Sequence, residues 1–238
     1  MVSKAISKTR DCSRTHDVIL DAAQEALREH GFKRMTMDDL ATRAGLGKGT
    51  IYLYFESKDD VALSVIDRGN LRLQERLKAI LKGQGTAEHR LRAMLIDRVM
   101  FRFDCAHGYA QGMDELFWAI RPQLLQRREK YHHAESLILA ELLIEGRALG
   151  EFVVDEPFSA AEAFITATAS LLPYSLGAEQ MGSRETVLAR IDVLSGLLIR
   201  SVQRCVSEIS LNQLPATQVN PDYTRGSVRK YGDKHNGK

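Results

Sequence analysis

The sequence predicts an all-α protein, and three observations support this class. Apolar residues recur with helical periodicity through most of the 238 residues, whereas the alternation typical of strands is almost absent. Only five prolines are present, and long segments are rich in Ala, Leu, Glu and Arg, which favour helices. Hydrophobic residues make up 44% and charged residues 27%, which suits a buried core and argues against wholesale disorder. We expect about nine helices.

The N-terminal part of the chain predicts three helices. The first has an apolar stripe and ends at Gly31, a typical left-handed stop. Thr36 precedes a second, short helix over 37–44, which Gly45 ends, and a third covers about 48–54. The stripe of the first helix consists of Ile19, Ala22, Ala23, Ala26 and Leu27.

Longer helices follow. Ser57 is the predicted N-cap of a long helix with two acidic residues in its first turn, where the helix dipole favours them. Gly83 and Gly85 interrupt the pattern, and Thr86 opens the next helix, which reaches about Asp104.

Prolines shape the predictions for the second half. A short helix over about 113–120 is expected to end before Pro122, which suits the first turn of a long helix over about 121–148. The segment 159–178 is helical in pattern, but Pro173 lies inside it, so we expect a kink or an early end. A last helix is expected from Ser183 to about Ile209.

Charge is distributed unevenly behind a net charge of only +2. Residues 1–58 carry 10 basic and 8 acidic side chains, residues 59–209 carry 18 and 21, and residues 210–238 carry 5 and 2. Total charge therefore gives no argument for nucleic-acid binding. We predict a flexible basic arm (1–13), two folded domains (14–58 and 59–209) and a disordered basic tail (210–238). The arm either reaches DNA or is a solvated terminus.

The cysteines and the N-terminal residues favour a cytoplasmic location. Cys12, Cys105 and Cys205 lie far apart, and their odd number argues against a disulfide framework. No apolar run approaches the roughly 18 residues of a membrane span. The first residues are basic and rich in Ser and Thr without the apolar stretch of a secretory signal, although a transit peptide is an alternative.

The most informative segment reads TMDDLATRAGLGKGTIYLYFESK, residues 36–58. Two short helices joined by a glycine turn fit a helix-turn-helix. Leu40 and Ala41 are placed to face the core, and Leu46 and Ile51 to fill the angle between the helices. This arrangement leaves for solvent or DNA the residues Lys48, Gly49, Thr50, Tyr52 and Tyr54.

The same segment has the chemistry of a DNA-binding surface. No acidic residue falls between Asp39 and Glu56, as a surface facing phosphates requires. Lys48 lies at the start of the second helix, where base edges are usually reached, and helix N-termini at Thr36 and Lys58 favour anions. The predicted DNA contacts are Thr36, Arg43, Lys48, Gly49, Thr50, Tyr52, Tyr54 and Lys58.

The N-terminal part also carries a longer pattern of small, aromatic and glycine positions. It consists of Ile19, Ala22, Ala23, Gly31, Phe32, Thr36, Leu40, Ala41, Ala44, Gly45, Leu46, Gly49, Thr50, Ile51, Tyr52, Tyr54, Phe55, Ser57 and Lys58. Through this pattern residues 14–63 resemble the DNA-binding domain of the TetR (tetracycline-repressor-like) family. Residues 59–209 resemble the family only in helix number and length and in the segment Gly146–Phe152. Gly47 departs from the pattern, because the family often has a capping Ser there.

The resemblance implies a transcriptional regulator, expected to be a repressor, that binds operator DNA as a homodimer. It implies a dimer interface made by the last two long helices and a cavity for a small effector that releases the protein from DNA. Both helices are apolar on wide faces, although such faces also suit ordinary core helices. These faces contain Phe164, Ile165, Leu171 and Leu172 on one helix, and Leu188, Ile191, Leu194, Leu198 and Val202 on the other.

An effector cavity is expected to use aromatic and Met side chains of the second domain. Such residues at helical spacing are more often plain core. The candidates are Met94, Phe101, Phe103, Tyr109, Met113, Phe117, Trp118, Phe164 and Tyr174, with His107, His132 and His133 as polar contacts. Trp118, the only tryptophan, is the first choice.

Two alternatives stay open: a DNA-binding protein without an effector and an all-α enzyme. An enzyme needs a nucleophile–base pair, a phosphate loop or paired carboxylates at workable spacing, and the sequence has none of these. The segment Gly45–Gly49 lacks the preceding strand and the spacing of a nucleotide loop. We therefore predict neither enzymatic activity nor a cofactor. We predict no metal site either, because Cys105 and the histidines lack diagnostic spacing.

Overall fold

Eight α-helices make up most of residues 2–108, 113–172 and 182–203, which are the residues that the computed structural model describes. The predicted all-α fold is confirmed. Its only strand-like feature within those ranges is an isolated antiparallel bridge between Phe152 and Gln203. The predicted tail over 210–238 lies outside the described residues. The helices are α1 (Val2–Arg34), α2 (Met37–Ala44), α3 (Lys48–Tyr54), α4 (Lys58–Leu81), α5 (Ala87–His107), α6 (Met113–Ala148), α7 (Pro157–Ala169) and α8 (Arg184–Val202).

The first helix is longer than the sequence analysis predicts. It begins at Val2, so residues 2–13 of the segment expected to be a flexible arm (1–13) are part of the helix. No proline or glycine precedes Gly31, and therefore no residue of that segment breaks a helix. Gly31 itself has φ 73° and ψ 171°, so the helical backbone is interrupted at the predicted position.

Four of the eight helices begin at a local side-chain cap, each at a predicted position. A hydroxyl accepts a hydrogen bond from the backbone N–H three residues further on, which satisfies one of the free donors of the first turn. At the other end of α2, Gly45 adopts the left-handed conformation (φ 66°, ψ 31°) that turns the chain towards α3. The capping residues are Thr36, Ser57, Thr86 and Ser183.

The prediction that a helix ends before Pro122 is wrong. The structure has one helix, Met113–Ala148, with Pro122 inside it. Proline removes the hydrogen bond to the carbonyl of Trp118, but both residues are exposed, so solvent is able to satisfy that carbonyl. By contrast, α7 ends at Ala169, before Pro173, as the sequence analysis allows.

The core of the N-terminal helices includes part of α6. Leu40 and Ile51 are fully buried there, as the sequence predicts. Leu116, Ile120 and Leu124 of α6 pack into the same hydrophobic cluster. The remaining body has two further clusters, formed mainly by α4 to α8. The start of α6 is therefore bound to the helix-turn-helix unit. None of the helices in the described ranges is both long and apolar enough to cross a membrane.

Candidate nucleic-acid interface and cavity

The helix-turn-helix presents α3 on its outer surface. Ile51 faces inward, and Leu46 packs against the same core from the turn. Lys48, Gly49 and Tyr52 are exposed on α3. Thr50 and Tyr54 are half-buried, so their side chains combine packing with access to solvent.

Leu53 is a surface residue that the sequence analysis misses. Its exposed fraction is 84%, the highest among the exposed large hydrophobic residues of the described chain. The signal is the helical period, because Leu53 lies one turn after the exposed Gly49. An apolar side chain on a recognition helix is suited to contact the methyl group of thymine.

Lys48 does not stand alone on this surface. Its ammonium lies 2.8 and 2.9 Å from the two carboxylate oxygens of Asp38 on α2. The hydrogen bond and the charge of Asp38 raise the pKa of Lys48. The expectation of an acid-free surface is therefore corrected: Asp38 lies outside the acid-free sequence interval but reaches into the surface from the neighbouring helix.

Arg43 connects α2 to α1. Its guanidinium lies 2.9 Å from Asp39 and 2.8 Å from Glu29, and it contacts His30 at 3.0 Å. Its hydrogen bonds to Asp39 and Glu29 raise the pKa of Arg43. These contacts hold the helices of the domain together.

Two other predicted DNA contacts also have structural partners. Lys58 donates a 3.3 Å hydrogen bond to the carbonyl of Phe32 and lies 4.5 Å from the centre of its ring. The hydroxyl of Thr36 accepts a 3.1 Å bond from the N–H of Asp39. In this structure, both side chains therefore stabilise the domain that presents α3.

A cavity of about 120 Å³ lies between α1, α4, α5 and α6. Val65, Ile66, Leu73, Leu116 and Leu124 form much of its apolar wall. The polar part of its lining includes Gln24, Asn70, Arg72, Arg102, Arg128, Tyr131 and His132. This cavity therefore touches both the helix-turn-helix unit and the helical body.

Only some of the predicted pocket residues line this cavity. Phe101 and Phe117 line it, as does His132. Burial, together with the charge of Arg98, lowers the pKa of His132 to about 4, so its ring is neutral at pH 7. The side chains of Met94, Phe103 and Phe164 are buried in hydrophobic clusters of the body. Tyr109 and Tyr174 lie outside the described residues, and Met113 begins α6.

Trp118, the first choice for an effector pocket, does not line this cavity. It is 74% exposed, and its ring lies 5.7 Å from the guanidinium carbon of Arg121. Its neighbour Phe117 faces the cavity because the two residues point in different directions around the helix.

The cysteine and histidines considered for a metal have separate roles. Cys105 lines the cavity, whereas His107 stacks on Phe103 at 5.4 Å and His133 packs edge-on against Phe158. Across the described ranges, no group of three His, Cys, Asp or Glu side chains is arranged to hold a metal ion.

Consecutive residues of α4 bind different helices. Asp67 accepts hydrogen bonds from Tyr131 and Arg127 of α6. Arg68 donates a 3.0 Å hydrogen bond to Gln24 of α1. Burial and the bond to Asp67 raise the pKa of Tyr131, so its phenol stays protonated and donates. We call these contacts of Asp67 and Arg68 the α4 clasp. Two partners in the clasp, Gln24 of α1 and Tyr131 of α6, also line the cavity.

Four helices meet at one buried carboxylate, Glu135 of α6. Arg98 lies 2.6 Å from it, and Arg102 pairs with its other oxygen. Arg102 also donates to Asn70 on α4 at 2.6 Å, and Arg98 donates to Thr168 on α7 at 2.7 Å. Burial by itself would raise the pKa of Glu135, but the charges of Arg102 and Arg98 outweigh it and lower the pKa to about 2.

The site thus consists of the exposed α3 of the helix-turn-helix and of a cavity shared with the helical body beside it. The family model described as "Bacterial regulatory proteins, tetR family" matches residues 19–65. A solved structure of a transcriptional regulator of the TetR/AcrR family from Thermobifida fusca has a TM-score of 0.57 and 26% identity, covering 79% of this chain and 98% of that one.

Curated relatives agree with this assignment. The chain is 35% identical over 80 residues to the fatty acid metabolism regulator protein of Bacillus subtilis, covering 34% of this chain and 41% of that protein. It therefore spans less than half the length of that relative. Transcriptional regulator AcuR of Cereibacter sphaeroides is 29% identical over 165 residues, covering 65% of this chain and 73% of that protein. The family match therefore covers residues 19–65, which run from α1 through the helix-turn-helix into the start of α4.

Proposed function

We propose that this chain is a cytoplasmic repressor that binds a near-palindromic operator as a homodimer and leaves it when a small molecule enters the cavity. The observation that carries this proposal is the position of the cavity, whose wall includes α1 of the helix-turn-helix unit and α4. A DNA-binding protein without an effector has no need of such a cavity. No observation favours an enzyme.

The proposed DNA contacts lie on and around α3. Lys48, Tyr52 and Leu53 are its most exposed side chains, and we assign them to base edges and phosphates. Gly49 allows close approach of the backbone, and the hydroxyls of Thr50 and Tyr54 are donors for phosphates. Thr36, Arg43 and Lys58 act beside them by fixing the position of α3.

The proposed dimer uses α7 and α8. On α8, Val193 is 65% exposed and Leu197, one turn further on, is 54% exposed, so they form an apolar strip that a second chain would cover. On α7, the exposed Ala163 and Thr166 are small enough for close helix packing. Part of the apolar face that the sequence assigns to the interface packs inside the chain instead, namely Phe164, Ile165, Leu172, Ile191 and Val202.

The α4 clasp supplies a route from the cavity to DNA. A ligand in the cavity lies beside Tyr131 and Gln24, the partners of Asp67 and Arg68. If it displaces either partner, the orientation of α4 relative to α1 or α6 changes. Release requires that the ligand bind this rearranged state more tightly than the DNA-bound state.

Selection from a randomised duplex library with the full-length chain tests the proposal. We expect a near-palindrome bound by two chains. Lys48→Ala and Tyr52→Ala are each expected to bind it roughly tenfold more weakly, and Lys48→Ala to reduce the salt dependence by about one phosphate contact. Lys78→Ala, which removes an exposed charge from α4, is the control and should bind as the unmodified chain does. If folded Lys48→Ala and Tyr52→Ala proteins bind the selected duplex as tightly as the unmodified chain, the proposal is contradicted.

Asp38→Asn is expected to increase affinity for DNA. The substitution removes the carboxylate that pairs with Lys48 and also removes a negative charge near the phosphates. Because such exposed pairs are weak, we expect roughly two- to fivefold tighter binding at low salt, with the gain lost at high salt. Titration of the selected duplex at several salt concentrations measures this, with Asp155→Asn as a charge-matched control outside the domain. An unchanged affinity at low salt would show that Lys48 does not face phosphates.

A further inference from the structure

The charged residues that line the cavity are all of one sign. Arg72, Arg102 and Arg128 contribute to its wall, whereas no Asp or Glu does. The whole chain has 33 basic and 31 acidic residues, so this asymmetry does not follow from composition. The remaining lining is mainly apolar, and the ring of His132 is neutral at pH 7. The cavity therefore has an apolar interior with a positive edge.

The arginines differ in what they already bind. Arg102 is committed to Glu135 and Asn70. Arg72 is exposed, lines the cavity, and makes no hydrogen bond or ion pair with any other residue in the described ranges. A residue that is both exposed and part of the wall lies at the mouth of the cavity. Its guanidinium is therefore available to an anion whose apolar part is inside.

We propose that the effector is a small amphipathic carboxylate, with its apolar body in the cavity and its carboxylate paired with Arg72 at the mouth. A guanidinium matches the two oxygens of a carboxylate and holds them by charge-assisted hydrogen bonds. A cation of the same size would be repelled by Arg72, and a neutral molecule would gain no ion pair from it. The effect of this ligand on DNA binding rests on the proposed function, whereas the binding of the ligand to the cavity does not.

The size of the cavity sets the size of the ligand. At about 120 Å³ it is slightly smaller than the roughly 150 Å³ engineered cavity that accommodates benzene. A medium-length alkyl chain or a single ring fits this space, and a longer chain has to extend past Arg72 into solvent. Octanoate is therefore a suitable probe, and octanol, octylamine and octyl phosphate have the same chain with different head groups.

Calorimetric titration of the full-length chain with these four probes tests the inference. Octanoate is expected to bind at least about tenfold more tightly than octanol, and octylamine more weakly than either. Arg72→Gln should weaken octanoate binding by about tenfold and leave octanol unchanged, and Arg72→Glu should weaken it further. Lys78→Gln removes one charge from an exposed position of the same helix and is expected to have no effect.

Several results would overturn the inference. The inference is refuted if octanol and octanoate bind equally well, or if Arg72→Glu leaves octanoate binding unchanged. It is also refuted if none of the probes binds. Tighter binding of octyl phosphate than of octanoate would assign a phosphate head group instead. DNA binding is measured separately on the selected duplex. A chain that binds octanoate but no DNA would refute the proposed function alone, and one that binds DNA but no carboxylate would refute this inference alone.

Discussion

Glu135→Gln is expected to lower the free energy of unfolding by about 3–5 kcal/mol. The substitution keeps the size of the side chain but removes the carboxylate charge that pairs with both Arg98 and Arg102, and Arg98 is fully buried. It also disturbs the hydrogen bonds that these arginines make to α4 and α7. Urea unfolding at pH 7 measures the loss. Glu141→Gln, at an exposed position of the same helix, is the control and should change stability by less than about 0.5 kcal/mol.

The same carboxylate predicts how stability depends on pH. Its pKa is about 2 in the folded chain, against an ordinary value of 4.5, so the unfolded state takes up a proton first as the pH falls. The stabilisation by Glu135 is therefore complete above about pH 5 and declines progressively towards pH 2. The difference in the free energy of unfolding between the unmodified chain and Glu135→Gln should therefore decrease as the pH falls from about 5 to 2. A difference that stays constant down to pH 3 would contradict the assigned ion pairs.

Gly146→Ala is expected to destabilise the body by about 3 kcal/mol, at the upper end for overpacked cores. A methyl group at this position would lie within 2.5 Å of the ring of Phe152 and 3.0 Å from the methyl group of Ala87. Phe152 is 2% exposed, so its ring has little room to move. This close approach gives a physical reason for glycine in the segment Gly146–Phe152.

Gly69→Ala is the matched control, because the same substitution in a helix interior meets open space there. It should stabilise the chain by about 0.5–1 kcal/mol, the helix propensity of alanine over glycine. Thermal unfolding of the two variants should therefore give shifts of opposite sign. Stabilisation by both would show that Phe152 does not pack against Gly146.

Sequence reasoning succeeds where the cause is local. The hydroxyls of Thr36, Ser57 and Ser183 cap helices because each lies three residues before the N–H that it binds. Gly45 ends α2 because the turn needs a left-handed residue. The helical periodicity of the sequence alone also predicts which faces of α2 and α3 point inward. The family resemblance adds the expectation that the outward face of α3 meets DNA.

Sequence reasoning fails where partners are distant or where one feature has two outcomes. The pairing of Lys48 with Asp38 requires the angle between two helices, which no local pattern contains. Pro122 suits both a first turn and a solvent-facing helix interior, and only the packing of α6 decides between them. Trp118 and Phe117 are both aromatic, so the sequence predicts a pocket role for both, although only Phe117 lines the cavity. Arg72 carries no signal before the cavity is known.

The presence of Gln24 in the cavity wall has a consequence for how this regulator evolves. The side chain that a molecule in the cavity would touch under the proposed function also accepts the hydrogen bond from Arg68, which ties α1 to α4. A substitution that changes which molecule is accepted therefore also changes how firmly the DNA-binding unit is held. Under the proposed function, ligand preference and basal repression are therefore not independent traits in this chain. Efforts to retarget it to a new inducer need selection for repression and for release in alternating rounds.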